Sequence, residues 1–98
     1  MGSIKRKFEN RYWLINGDVF ELHFTHFYDD EVILKFKQDK DDPENYIYVS
    51  DLLKVEYDEI YADSVDEAME QFEDMIIDYI EDKISYYEEM LEKFQEGE

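Results

Sequence analysis

The chain contains no cysteine, so disulfides, thiolate metal sites and cysteine nucleophiles are all excluded. Glycine is nearly as scarce: Gly2, Gly17 and Gly97 stand too far apart to form a phosphate-cradling loop. Pro43 is the single proline, and no run of about 18 apolar residues is present to span a bilayer. No secretory leader is recognisable, so the expectation is a cytoplasmic protein without a membrane partner. Basic residues are few, 10 against 28 acidic ones, which leaves a net charge of −18. That charge repels nucleic acid and anionic lipid and attracts basic surfaces. The short run Lys5-Arg6-Lys7, with Arg11, is too small to hold a duplex against it. It reads as a flexible end or as a strap folding onto the acidic body.

What is present is apolar and aromatic. Hydrophobic residues make up 44% of the chain and aromatics 17%, which is core material that a disordered acidic segment lacks. At 98 residues there is room for one core, and residues 1–98 read as a single domain. Salt-adapted proteins are also acidic, but adaptation to salt does not call for nine tyrosines and seven phenylalanines in so short a chain.

Residues 8–62 read as a β-sheet region and residues 64–95 as helix. Phe8 to Ile15 is aromatic and β-branched, and Asn16-Gly17 supplies the positive φ of a tight hairpin turn. From Asp18 a second strand alternates Phe20, Leu22 and Phe24 against Glu21, His23 and Thr25. Tyr28-Asp29-Asp30 reads as a turn, and a third strand sets Val32, Leu34 and Phe36 against Ile33, Lys35 and Lys37. The charged stretch from Gln38 to Asn45 is a connector, Tyr46 to Val49 a fourth strand, Ser50-Asp51 a bend or bulge, and Val55 to Ala62 a fifth, edge strand. Met1, Gly2 and Ser3 enter none of these elements.

Ser64-Val65-Asp66-Glu67 has capping-box spacing, so a long helix is expected from there. Val65, Met69, Phe72, Ile76, Ile80, Ile84, Tyr87, Leu91 and Phe94 recur at steps of three and four as one apolar stripe. The expected fold is therefore α+β: an antiparallel meander of four to five strands with one long, acidic C-terminal helix packed on one face. A helix running from Val65 to Gln95 is about 46 Å long at ~1.5 Å per residue, more than such a sheet needs. Its end projects, or it breaks near Lys83 to Tyr87 and folds back, or the overhang pairs with a second copy.

Little in the chain points to chemistry. His23 and His26, three apart on a strand, fall on opposite faces and do not converge on one metal. Asp39, Asp41, Asp42 and Glu44 superficially resemble a calcium loop, but the required glycine and twelfth-position glutamate are missing and Pro43 interrupts the run. The Ser50 and Ser64 hydroxyls are accounted for by a turn and a cap. Neither a catalytic residue, a metal ligand nor a cofactor is expected, and the chain reads as a binding protein.

The distribution of charge is the informative feature. From Asp63 to Glu98 there are fourteen acidic residues and two lysines, a net of −12, against fourteen and eight, a net of −6, over residues 1–62. Seven like-charge pairs at i,i+4, from Asp63/Glu67 to Glu92/Glu96, face one favourable pair, Glu89/Lys93. At roughly 0.2 to 0.5 kcal/mol each they cost the isolated helix about 2 kcal/mol. An ordinary solvated helix would intersperse lysines at these spacings, which leaves two readings open: a surface for a basic partner, or a highly charged face that keeps the protein soluble. Opposite the apolar stripe, Glu67, Glu70, Asp74, Asp78, Glu81, Glu88 and Glu92 form a rod of carboxylates about 5 to 6 Å apart, comparable to phosphates along a nucleic-acid strand. Tyr79 and Tyr87 are assigned to the core stripe and Tyr86 to the contact surface.

In size, charge, lack of cysteine and a helix crowded with Glu and Asp, the chain resembles the small acidic inhibitors of phages and mobile elements, DNA mimics and anti-CRISPR proteins among them. The resemblance involves no motif, and no family residue is carried over. It implies a protein that blocks a basic nucleic-acid-binding protein, such as a Cas nuclease in the host cytoplasm. The helix carboxylates and Tyr86 would contact that partner, helped by Asp39, Asp41, Asp42 and Glu44 and by Asp58 and Glu59. Two alternatives share these features: an immunity protein for a nuclease toxin, and a structural protein that homodimerises through the C-terminal helix.

Overall fold

The computed structural model describes residues 2–26 and 29–96, of His26 the backbone alone. It is α+β: six antiparallel strands in one sheet, in simple meander order, followed by one helix. The strands are β1 (Ser3–Lys5), β2 (Arg11–Asn16), β3 (Val19–His26), β4 (Asp29–Gln38), β5 (Asn45–Ser50) and β6 (Val55–Tyr61), and the helix α1 is Val65–Glu96. The sixth strand, absent from the sequence reading, is β1. Three residues carry no alternation of their own, and Ser3, Ile4 and Lys5 become a strand only by pairing with Ile15, Leu14 and Trp13.

Phe8, by contrast, lies outside the strands. Its N–H donates to the Arg11 carbonyl at 2.8 Å, while the Arg11 guanidinium sits over its ring at 4.2 Å. At the first hairpin Asn16 pairs with Val19, so the two loop residues are Gly17 and Asp18. Gly17 takes φ 66°, the positive first position of a II′ turn, one residue later than the Asn-Gly reading placed the turn. Asp29 and Asp30 belong to β4, not to a turn, and Tyr28 lies outside the described residues.

A bulge separates the two halves of the β3–β4 ladder. Leu22 pairs with Leu34 but His23 pairs with Val32, so Ile33 is the extra residue and Val32 shares a face with His23 instead of with Leu34. The Ser50 hydroxyl donates to the Ile33 carbonyl at 2.7 Å and accepts from the Leu53 N–H at 3.0 Å. One buried serine thus serves both the bulge and the turn that follows β5, where the β5–β6 register also shifts.

The chain divides into two compact units, Met1–Ala68 and Met69–Glu98. In the first, Trp13, Leu22, Leu34, Phe36, Tyr46, Tyr48, Ala62 and Ala68 are buried. Phe36 is the hub: Phe20 stacks on it at 4.7 Å, and Trp13 and Tyr46 meet it edge-on at 5.3 and 5.8 Å. The described residues of the second unit are helix as far as Glu96, with no break near Lys83 to Tyr87. Its burial is uneven. Met69, Phe72 and Ile76 are buried, whereas Ile77, Ile80, Ile84, Tyr87, Leu91 and Phe94 are exposed. Among the described residues no helix is long and apolar enough to cross a membrane.

Candidate interaction surface

The helix that carries most of the negative charge is started by its own side chains. The Ser64 hydroxyl accepts from the Glu67 N–H at 3.1 Å, and the Ser64 carbonyl accepts the first helical bond from Ala68. Glu67 completes the cap one residue further out than the standard box, accepting from the Asp63 N–H at 2.8 Å. Its carboxylate is therefore committed to the helix start, although exposed. Lys5 on β1 reaches Asp66 at 3.6 Å, one exposed contact between the basic N-terminal run and the acidic helix start. Tyr46 also senses this end. Burial raises its hydroxyl above the ordinary 10.0, and the charges of Glu67 and Glu44 add to the shift.

Beyond the cap, Glu70, Asp74, Asp78, Glu81, Glu88 and Glu92 are all exposed. Among the described residues none of these six has a Lys or Arg within ion-pair distance. The exposed pair Glu89–Lys93, at 3.2 Å, is the favourable i,i+4 contact legible in the sequence. Glu73 behaves differently: it is 5% exposed, and its burial could not be read from a helix so rich in carboxylates. Tyr86 is exposed as expected. Tyr87, assigned to the core stripe, is equally exposed and meets Tyr86 edge-on at 5.4 Å. The correction has a simple cause: the periodicity of the stripe continues past Ile76, but its burial does not.

The two acidic stretches of the sheet unit converge on one amide. Asn45, buried, donates from Nδ2 to Asp39 Oδ2 at 3.1 Å and to Glu59 Oε1 at 3.3 Å. Asp39 Oδ1 also accepts from the Asp41 N–H, and Asp42 Oδ1 from the Glu44 N–H, which folds the connector into two successive Asx turns. These donors hold the Asp39 carboxyl below its ordinary 3.8, the backbone N–H of Asp41 foremost. Asp58 caps the Glu59 N–H at 2.8 Å, and Glu59 accepts from the Tyr57 hydroxyl at 3.1 Å. Asp39 and Glu59 thus tie the loop to the edge strand through Asn45, Asp42 and Asp58 bond locally, and Asp41 and Glu44 are exposed on the same loop.

One cluster escaped the sequence reading. The His23 ring stacks on Tyr12 at 4.8 Å, with Nε2 3.2 Å from Glu21 Oε1 and Nδ1 3.3 Å from Asp30 Oδ2. The Tyr12 hydroxyl donates to the same Asp30 oxygen at 2.7 Å, and this bond leads the causes that raise its pKa above 10.0. Glu21 and His23 share a face by strand alternation, which was legible. Asp30 joins them through the bulge, which was not. The side chain of His26 lies outside the described residues. Among the described residues no group of three or more acidic or histidine side chains is placed to hold a metal ion.

The geometry is thus a sheet unit in which Glu21, Asp30, Asp39, Asp42, Asp58 and Glu59 are internally bonded, and a helix on which Glu70, Asp74, Asp78, Glu81, Glu88 and Glu92 are exposed with no Lys or Arg within ion-pair distance among the described residues. No protein-family model matches the chain, and neither a curated protein nor a solved structure is similar to it.

Proposed function

We propose that this chain acts by binding and not by catalysis, occupying the basic, nucleic-acid-holding surface of another protein, such as an RNA-guided nuclease in the cytoplasm of a host cell. The observation that carries the reading is the row Glu70, Asp74, Asp78, Glu81, Glu88 and Glu92, exposed along one continuous helix with no Lys or Arg within ion-pair distance among the described residues. Like-charge neighbours one turn apart disfavour the helix, and a surface of Arg and Lys placed against them converts that repulsion into attraction. A rigid helix presents the carboxylates at fixed spacing, so the ordering cost on binding is low. Long-range attraction between a body of charge −18 and a cationic channel makes association fast and salt-sensitive.

The test is competition. A purified RNA-guided nuclease is incubated with the chain and then offered labelled duplex DNA in a mobility-shift assay at low salt and at about 0.5 M salt. DNA binding is expected to fall at low salt and recover at high salt. The variant with Glu70, Asp74, Asp78 and Glu81 all reversed to Lys should not compete. Undiminished competition by that variant places the interface elsewhere, and failure to displace DNA from any basic nuclease tried ends the reading.

A further inference from the structure

The exposed half of α1 carries a second surface that the carboxylates do not explain. Ile77, Ile80, Ile84, Tyr87, Leu91 and Phe94 follow one another at steps of three, four, three, four and three, and each is between 40% and 73% exposed. That spacing is the a and d pattern of a coiled coil, with Ile77, Ile84 and Leu91 at a and Ile80, Tyr87 and Phe94 at d. Ile80, Ile84, Tyr87 and Leu91 line a shallow apolar groove, with Tyr79, Lys83 and Glu88 also among its walls. In heptad terms Lys83 is a g position and Glu88 the following e position, on opposite flanks of the seam.

We infer that this seam is closed by the same seam of a second copy, in a parallel, in-register two-stranded coiled coil over residues 77–96. Charge decides the partner and the direction. In a parallel pair each g residue faces the next e residue of the other chain. Within residues 77–96 there are two such contacts per side, Lys83 with Glu88 and Met90 with Gln95, the first of opposite charge and the second uncharged. An antiparallel pair sets e against e, bringing Glu81 and Glu88 of one copy onto those of the other. The remaining acids of the segment, Asp78, Asp82, Glu89, Glu92 and Glu96, occupy b and f positions and face outward in the parallel pair.

Area agrees with this occupant. Six large side chains, each with roughly half of its surface free, expose on the order of 500 Å² per copy. Two copies reach about 1,000 Å², the lower bound of a specific interface. Helix physics points the same way. Twenty residues of helix with Glu88/Glu92 and Glu92/Glu96 repelling one another are marginal in isolation, and apolar packing along one seam restores their stability.

This inference rests on the apolar seam and not on the proposed basic partner, and salt separates the two. Screening weakens contact with a basic surface but relieves repulsion between two copies of charge −18, so dimerisation strengthens as salt rises. Sedimentation equilibrium of the full chain at about 0.1 and 0.5 M salt is expected to show a dimer with the lower dissociation constant at the higher salt. Ile84→Glu combined with Leu91→Glu should raise that constant roughly 100-fold or more, with Trp13 fluorescence unchanged as the check that the sheet unit still folds. Because the chain has no cysteine of its own, Leu91→Cys reports direction, and oxidation should link identical positions across a parallel seam. A strict monomer at both salts, a dimer indifferent to the double variant, or no Leu91→Cys cross-link in a dimer each overturns the inference.

Discussion

Acidic side chains in the sheet unit and on the helix are the same chemical groups put to opposite uses. Glu21, Asp30, Asp39, Asp42, Asp58 and Glu59 each accept a hydrogen bond within the sheet unit, from a histidine, tyrosine or asparagine side chain or from a backbone N–H. Glu70, Asp74, Asp78, Glu81, Glu88 and Glu92 stand on the helix without such donors, because a helix interior uses its own N–H groups and offers none to side chains. The apolar residues divide in the same way. Trp13, Leu22, Leu34 and Phe36 of the sheet unit and Met69, Phe72 and Ile76 of the helix are buried, while Ile77, Ile80, Ile84, Tyr87, Leu91 and Phe94 are exposed. What a residue contributes here depends less on its type than on whether its surroundings supply a partner.

The contrast can be broken at several points, the largest first. Phe72→Ala, at a fully buried helix position, is expected to cost about 3 to 5 kcal/mol in denaturant unfolding. Phe94→Ala, on the same helix but 73% exposed, should cost less than about 0.5 kcal/mol at concentrations where the chain is monomeric. Equal losses at the two sites would remove the distinction between the two halves of the helix.

Ser50→Ala removes the hydroxyl bonded to the Ile33 carbonyl and the Leu53 N–H, and should destabilise by roughly 1 to 3 kcal/mol. Ser64→Ala, at the helix cap, should cost about 1 kcal/mol by the same measurement. On the free carboxylate face the sign reverses. Asp78→Lys replaces the repulsive pairs with Asp74 and Asp82 by attractive ones, and should stabilise the helix by roughly 0.5 to 1 kcal/mol, read as a higher thermal midpoint.

The smallest effects are set by pH. The Asp39 carboxyl is depressed below its ordinary 3.8 by the Asp41 N–H and the Asn45 amide, so its contribution is present above 3.8 and lost as pH falls through the depressed value. Thermal melts taken downward from about pH 5 should therefore fall more steeply for the parent chain than for Asp39→Asn. At the other extreme Tyr12, Tyr46, Tyr48 and Tyr57 are all raised above 10.0, by hydrogen bonds to Asp30 and Glu59 for Tyr12 and Tyr57 and by burial for Tyr46 and Tyr48. Their contribution is complete below 10.0 and lost as pH rises beyond it. Ultraviolet titration should show part of the tyrosine signal ionising only above that value.

Much of the architecture was legible because it follows from local rules. Alternation marked β3, the Asn-Gly dipeptide marked the first hairpin to within one residue, and Ser64 with Glu67 marked the start of the helix. The misses share a cause. Ser3–Lys5 is a strand only because Trp13, Leu14 and Ile15 present an edge to it, and Val32 changes face only because Ile33 bulges. The Tyr12, Glu21, His23 and Asp30 cluster draws on three strands and could not be assembled without their register. On the helix, position alone made Tyr86 and Tyr87 look different, and exposure makes them alike.

The sequence by itself determined composition, charge, strand alternation and helix periodicity, and with them an α+β chain bearing most of its excess negative charge on one long C-terminal helix. Periodicity depends on neighbours three or four residues apart, so it can be read without knowing what lies across from it. Only the tertiary structure decided which carboxylates are bonded and where along α1 burial stops, because both depend on partners distant in the chain that pairing and packing bring near.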